Sequence, residues 1–342
     1  MQYFMNIIGL SNKKMIKFGF LTLFSFLWFL GFSEDFAKWL ALNKVIPSDY
    51  RYGDLYRMSN LAQFKVPLQK CNIPETTESN HTSLILLGDS FTENERIEKN
   101  HFKGLDNYQR FFITDTIRIK IDTTKRNILI IETVERHFRE RFVKPYMNLQ
   151  LVDNESDTGK IDGRSILERI IKGHIPYSAE RHESVLFSSN FFLTFKEWKA
   201  WVNWHCFNRV DKNVMLSKDK KHILYYADAQ SSGIHSSFDK ISDNEVTKMV
   251  ENLNLTYQHY KKLGFDEVYL TIAPNKTSIL GTDLGKYNHL IDRIQQHSSL
   301  KMPFFDVYTP FKKSKKMLYD IGDTHWNCDG KQIWLDEVNE KL

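Results

Sequence analysis

The sequence predicts an α/β fold with a mainly parallel sheet, and three observations carry that reading. Short apolar runs recur, amphipathic helical stretches separate them, and each run halts at a turn of polar residues. A run that is apolar without alternation indicates a strand buried on both faces, as in a parallel sheet covered by helices.

The first element precedes that fold. From Phe18 to Phe32 the chain reads FGFLTLFSFLWFLGF without a charge, with Lys13, Lys14 and Lys17 before it and Glu34 and Asp35 after it. Met15 and Ile16 lengthen the run towards the ~20 residues that span a bilayer, and Lys17 can snorkel to the interface. A signal anchor is expected over residues 15–33, with residues 1–14 cytoplasmic and the rest of the chain outside. A cleaved signal peptide ending at Gly31-Phe32-Ser33 and a buried core helix are the alternatives. Residues 34–80 hold Pro47, Pro67 and Pro74 among polar residues and clusters such as Tyr50-Arg51-Tyr52, and read as a partly ordered connector.

The α/β domain is expected over 81–342. Ser83 to Leu87 predicts the first buried strand, which stops at Gly88-Asp89-Ser90. Asn127 to Ile131 predicts the second, running into Glu132 and a helix that starts near Glu135-Arg136. Residues 147–221 break the rhythm and read as a largely helical insertion that roofs the sheet. Within it Trp198, Trp201 and Trp204 recur at every third position between Phe195 and Phe207, a spacing that predicts core packing, with a carbohydrate platform as the alternative. Val246, Met249, Val250, Leu253, Tyr257 and Tyr260 lie on one face of a helix, opened by the capping box Ser242-Asp243-Asn244-Glu245 and stopped by Gly264. Glu267 to Ile272 predicts a third strand, ending at Ala273-Pro274-Asn275-Lys276. A helix around Leu284, Tyr287, Leu290, Ile291 and Ile294 leads to a fourth strand, Phe304 to Tyr308.

Composition narrows the function. With 42% hydrophobic and 26% charged residues the chain folds a real core and is no disordered polymer. Lys and Arg number 47 against 42 Asp and Glu, a net charge of +5 that is too weak to argue for nucleic acid. Cys71, Cys206 and Cys328 have no zinc-type spacing, so no metal or other cofactor is expected from them. One bridge and one free thiol fit an oxidising compartment, and spacing does not choose the pair.

Ligands of open α/β sheets collect at the carboxyl ends of strands. Ser90 sits on a tight turn after the first strand, where its hydroxyl can project into a cleft; a plain helix N-cap is the bland alternative. A serine nucleophile needs a base to take its proton, and the base needs a carboxylate to fix its tautomer. Gly322-Asp323-Thr324-His325-Trp326 supplies both, with Trp326 able to wall the imidazole from water.

Gly-Asp-Ser-Phe after a strand, Asp-x-His-Trp near the C-terminus and an external domain behind one anchor together resemble the SGNH hydrolase superfamily. Within it the chain is most similar to the branch that O-acetylates exported polysaccharides, typified by alginate O-acetyltransferases. Ile130-Ile131-Glu132 leading to Glu135-Arg136, and Ala273-Pro274-Asn275-Lys276, agree with that branch. The resemblance runs from about Leu84 to the C-terminus and implies a flavodoxin-like α/β/α sandwich. By it, Ser90 is the acetylated nucleophile, His325 the general base and acid, and Asp323 the orienting carboxylate. The Ser90 amide or its neighbour, with Asn275 as the side-chain donor, would form the oxyanion hole. The superfamily's usual Gly-x-Asn-Asp block is absent, and Asp-x-His follows the serine as in ordinary SGNH esterases. Arg136 is a candidate for a sugar hydroxyl or carboxylate, with an ion pair to Glu132 or Glu135 as the alternative, and Lys276 divides in the same way.

The implied activity is a cell-envelope O-acetyltransferase that passes acetyl from Ser90 to a polysaccharide hydroxyl. Acetyl-CoA is cytoplasmic and no CoA-binding pattern is visible, so the resemblance implies a membrane-bound O-acyltransferase as the partner that delivers acetyl. A carbohydrate acetylesterase and a non-catalytic glycan-binding subunit are the competing expectations.

Overall fold

The computed structural model describes residues 12–30, 47, 50–73, 80–152, 158–160 and 189–342. The strands are β1 (Thr82–Gly88), β2 (Leu105–Phe112), β3 (Ile117–Ile119), β4 (Arg126–Val134), β5 (Leu149–Leu151), β6 (Gly159–Lys160), β7 (Val214–Leu216), β8 (Ile223–Tyr225), β9 (Glu267–Ala273) and β10 (Phe304–Phe305). The helices are α1 (Asn12–Leu30), α2 (Asp54–Ser59), α3 (Glu135–Arg141), α4 (Asn190–Phe207), α5 (Tyr226–Ala229), α6 (Asp243–Lys262), α7 (Lys276–Leu280), α8 (Leu290–Gln295), α9 (Tyr308–Lys313) and α10 (Cys328–Asn339). They divide into two compact units, one holding α1 and α4, the other holding the sheets and the remaining helices.

The central sheet has five strands in the order β10-β9-β4-β1-β2, and every pairing is parallel. Counted along the chain this is the order 2-1-3-4-5, whose direction of winding reverses between β1 and β4. The continuous apolar runs are buried along both faces, as expected: all of β1 and all of β4 after Arg126 are buried. Alternate residues feed two cores. Ile85, Leu87, Leu129, Ile131, Val268 and Leu270 pack with α3, α6 and α8 on one side. Leu84, Leu86, Ile128, Ile130 and Phe305 pack with Trp334, Leu335 and Val338 of α10 and Phe311 of α9 on the other. Each fully buried aliphatic side chain contributes about 1.5–3 kcal/mol, and a one-residue slip of β1 would exchange its two faces.

Several elements differ from expectation. The fourth strand is only Phe304–Phe305, because Asp306 Oδ1 accepts the Thr309 N–H at 3.0 Å and turns the chain into α9. The helix expected around 284–294 is confined to α8, where Asn288 Oδ1 accepts the Leu290 N–H and sets the start. Of the capping box expected for α6 the Ser242 half is present, with its Oγ accepting the Glu245 N–H at 3.2 Å, while the Glu245 carboxylate accepts from Arg139 Nε at 2.7 Å and does not return to the N-cap. Strand β2 and helix α10 were not read from the sequence. The expected core packing of the Trp-rich helix is not found: Trp198 and Trp201 are exposed and Trp204 is half-buried. Helix α4 falls outside the unit that holds the two sheet cores, and Leu193 is its buried residue.

The apolar N-terminal run forms α1, which covers residues 12–30. Residues 31–33, with the alternative cleavage site, lie outside the described residues. Among the described residues no helix is long and apolar enough to cross a membrane. Within residues 34–80 the stretch 52–73 packs on the α/β unit: Leu55, Tyr56 and Phe64 are buried, and the Tyr56 N–H donates to Gly322 O at 2.9 Å.

Candidate active site

Strand β1 delivers its last residue, Gly88, to the carboxyl edge of the sheet beside the end of β4, at the point where the winding reverses. Ser90 opens a short 3-10 turn there (Ser90–Thr92) and is half-buried. Three side chains hold this turn. Arg110 of β2 donates from Nη2 to Gly88 O at 3.1 Å and to Asp89 O. Arg141 of α3 grips the Asp89 carboxylate with both Nη groups, and the Val134 N–H donates to the same carboxylate at 2.8 Å. Glu132 of β4 accepts the Asp89 N–H at 2.6 Å and the Thr92 hydroxyl at 3.0 Å. Gly88 is needed because a Cβ there would fall 2.8 Å from Glu132 Oε2.

Burial, and then the Asp89 charge beside it, push the Glu132 carboxyl up to about 8 from an ordinary 4.5. The folded chain therefore keeps a proton that the unfolded chain releases, so this contribution to stability is complete below about 4.5 and is lost as pH rises through about 8. Glu132→Gln fixes the protonated shape. It is expected to flatten the decline of Tm across that window relative to the parent chain; equal slopes of Tm against pH in the two proteins would rule the assignment out.

The second half of the site comes from residues 318–327, which fold back on themselves. Tyr319 pairs with Trp326, the Asp320 N–H donates to His325 O at 3.1 Å, and the Asn327 N–H donates to Leu318 O at 2.9 Å. Gly322 lets residues 52–64 approach this loop, since a Cβ on it would fall 2.6 Å from Phe64 O. The loop brings His325 to Ser90. The Ser90 hydroxyl donates to His325 Nε2 at 2.7 Å, and His325 Nδ1–H donates to Asp323 Oδ1 at 2.5 Å. An ionised carboxylate only accepts, so the proton sits on Nδ1 and the lone pair of Nε2 faces the serine. Burial alone would raise the Asp323 carboxyl. Attraction to the imidazolium that His325 becomes when protonated, the His325 hydrogen bonds and Arg96, whose Nη2 lies 3.9 Å from Oδ2, outweigh it and hold the group well below the usual carboxylate range.

The other expected site residues are placed as follows. Trp326 is buried and packs on Phe91, Phe311 and Trp334, while the imidazole itself lies against Phe91, with ring centres 4.7 Å apart. The wall is thus the residue after the serine, with Trp326 one layer behind it. Asn275 is fully buried; its Oδ1 accepts the Arg136 N–H at the start of α3 at 3.2 Å and its Nδ2 donates to Ser237 Oγ, in the segment between α5 and α6, at 3.0 Å, so neither bond reaches Ser90. Arg136 pairs with neither Glu132 nor Glu135: its Nε lies 3.3 Å from Asp228 Oδ1, on the far side of the insertion, and its guanidinium stands over the Tyr225 ring. Glu135 instead accepts from the Asn275 N–H and the Ser278 hydroxyl.

Lys276 is also not a surface ligand for sugar. It is 1% exposed, and its ammonium donates to the main-chain oxygens of Asp320, Ile321 and Asp323 at 2.8, 2.8 and 2.9 Å. Burial pushes it down to about 8, against the pull of the Asp323, Asp54 and Asp320 carboxylates. It is a positioning residue that pins the loop carrying Asp323 and His325.

Sequence reasoning missed several neighbours. Asp54 of α2 accepts the Thr324 N–H at 2.8 Å and the Thr324 hydroxyl at 2.6 Å, which anchors the middle residue of Asp-Thr-His. Burial and the Asp323 charge raise its carboxyl. Cys71 is bridged to Cys328, three residues after His325, and Cys206 is free. Nothing in the sequence marks Asp54 or chooses Cys328, because their partners lie 270 and 257 residues away.

Chemically the arrangement can run acyl transfer. His325 can take the proton of Ser90 as its oxygen attacks a carbonyl and return it to the leaving group, with Asp323 stabilising the imidazolium. The amides that open the 3-10 turn have no acceptor inside the turn and are the nearest oxyanion donors by position. No known protein family, no curated protein and no solved structure matches the chain.

Proposed function

We propose that this protein is a membrane-anchored, extracytoplasmic O-acetyltransferase of an exported or cell-surface polysaccharide, of the SGNH type, working through an acetyl-serine at Ser90. One observation carries the proposal: a continuous hydrogen-bonded chain from Ser90 through His325 to Asp323, assembled from opposite ends of the domain at the winding reversal of a parallel sheet. Ser90 Oγ attacks the acetyl carbonyl while its proton passes to His325 Nε2, and the same proton leaves on the departing group. A sugar hydroxyl then attacks acetyl-Ser90, gives its proton to His325, and Ser90 Oγ departs and recovers that proton.

Two features support work outside the cytoplasm. The Cys71–Cys328 bridge is of the kind that persists in oxidising compartments. The lysine-flanked apolar run of residues 15–33 has the charge order of an anchor whose following domain is exported. Because the acetyl donor pool is cytoplasmic, a multi-spanning membrane-bound O-acyltransferase is the proposed supplier.

The test uses the full chain in detergent with an activated acetyl ester, with and without oligosaccharide acceptors. Intact mass should report one acetyl group on Ser90, and the acceptor should acquire it. Rapid release of acetate to water that no acceptor diverts would replace transfer by the acetylesterase reading. A chain that never takes up acetyl at Ser90 would leave the glycan-binding subunit as the account.

A further inference from the structure

A second constellation of chemically active side chains lies apart from the triad. His137 and Glu140 sit one helical turn apart on α3, and His235 reaches them from the segment between α5 and α6. Their nitrogen and carboxylate donor atoms all lie within 4.8 Å of one another. His137 Nδ1 is 3.7 Å from Glu140 Oε2, and the two imidazole rings have centres 5.3 Å apart. We propose that His137, Glu140 and His235 form a binding site for a divalent transition metal, Zn²⁺ by the chemistry of its donors, which ties the 230–238 segment to α3.

Two imidazoles and one carboxylate are a donor set that zinc takes with a fourth position left open, and donors a few ångströms apart need only side-chain rotation to reach bonds of about 2.0–2.2 Å. The second observation concerns orientation. His235 Nδ1 lies 3.0 Å from Arg136 O, and a carbonyl can only accept, so the proton is on Nδ1 and the Nε2 lone pair is free for a ligand bond. Imidazoles that hold metals are commonly fixed in this way through the opposite nitrogen. The main chain around His235 is itself braced: Ser236 Oγ donates to Gln230 O and accepts the Phe238 N–H, and the Ser237 N–H donates to Asp228 O.

The charges that face the cluster are mixed: Arg141 and Arg136 disfavour positive charge at His137 and Asp89 favours it, each arginine is paired with an aspartate, and the Glu140 carboxylate is the negative group of the cluster itself. The other such group of donors among the described residues, Asp54, Asp323 and His325, differs in that its atoms are already engaged. Both Asp54 oxygens accept from Thr324, and both His325 nitrogens belong to the triad. A bound metal would also steady the catalytic edge, since Ser237 of the tethered segment contacts Asn275 and Ser278, which flank Lys276 and Thr277. The proposal does not depend on acyl transfer.

The test is equilibrium zinc binding by the full chain in detergent, after treatment with chelator, read by competition with a chromophoric chelator. Cys206→Ser serves as the background, because that exposed thiol beside His205 can take up zinc by itself. One zinc per chain is expected. His137→Ala and His235→Ala should each weaken binding by more than roughly a hundredfold, beyond the 10–100-fold typical of losing an outer partner. Near-UV circular dichroism checks that the variants stay folded. As a measurement that needs no variant, Co²⁺ on the Cys206→Ser chain should give the intense visible bands of four-coordinate metal. Retention of no zinc, undiminished affinity in both histidine variants, or a Co²⁺ spectrum like that of the hydrated ion would each overturn the proposal.

Discussion

Replacing His325 with Ala is expected to slow acyl transfer from an activated acetyl ester by about four to six orders of magnitude, with the fold retained. The reason is local. The Ser90 hydroxyl has His325 Nε2 as its proton acceptor at 2.7 Å, and without that base it must lose its proton to water. The imidazole is buried, 8% exposed, and packs against Phe91, so truncating it leaves a gap beside that ring while the backbone hydrogen bonds that fold residues 318–327 remain. Asp323→Asn should cost about four orders of magnitude, because an amide in place of the carboxylate no longer holds the proton on Nδ1 or balances the imidazolium. The two changes together should cost little more than His325→Ala alone, since the groups act as a unit. Burst kinetics and intact mass check this. Turnover within tenfold of the parent in His325→Ala would remove the histidine from the mechanism.

Lys276→Met is expected to be the most damaging change outside the triad. The methionine side chain matches the lysine stem in length but leaves the Asp320, Ile321 and Asp323 carbonyls without their donor. A buried polar group stripped of its partner costs about 1–3 kcal/mol. The saving from no longer burying an ammonium that is pushed down to about 8 offsets part of that sum. A net loss of about 2–4 kcal/mol is expected, against a total stability of about 5–15 kcal/mol for an ordinary domain. The catalytic effect is separate. The three carbonyls belong to the loop that sets Asp323 and His325, and a displacement of about 1 Å costs about a hundredfold in rate. Well below Tm, kcat should fall by about that factor while KM changes little. A purely structural lysine would lower Tm and leave kcat intact. Arg in its place should not restore activity, because a guanidinium is too large for a site in which one nitrogen serves three oxygens.

The legible and illegible parts of this protein differ in kind. The runs Ser83–Leu87, Asn127–Ile131 and Glu267–Ile272 correspond to the buried strands β1, β4 and β9, because burial on both faces is written in consecutive residues. The capping residues of α6 were legible for the same reason. Strand β2 escaped because it is an edge strand, where Asp106, Asn107, Gln109 and Arg110 blur the pattern. Phe304 to Tyr308 misled because an apolar run does not say where Asp306 will turn the chain.

Ser90, Asp323 and His325 stand out in the sequence because a nucleophile after a strand and an acid two residues before a histidine are short-range patterns, and the family resemblance rests on those same motifs. What only the tertiary structure decided is the set of partners. It joins Cys71 to Cys328, gives Arg136 to Asp228, turns Lys276 inward onto three carbonyls, brings Asp54 to Thr324, and gathers His137, Glu140 and His235. The physical reason is range. Secondary structure and turn chemistry depend on neighbours a few residues away, whereas the pairing of buried charges and donors depends on which strand ends meet, and that follows from the order of strands in the sheet.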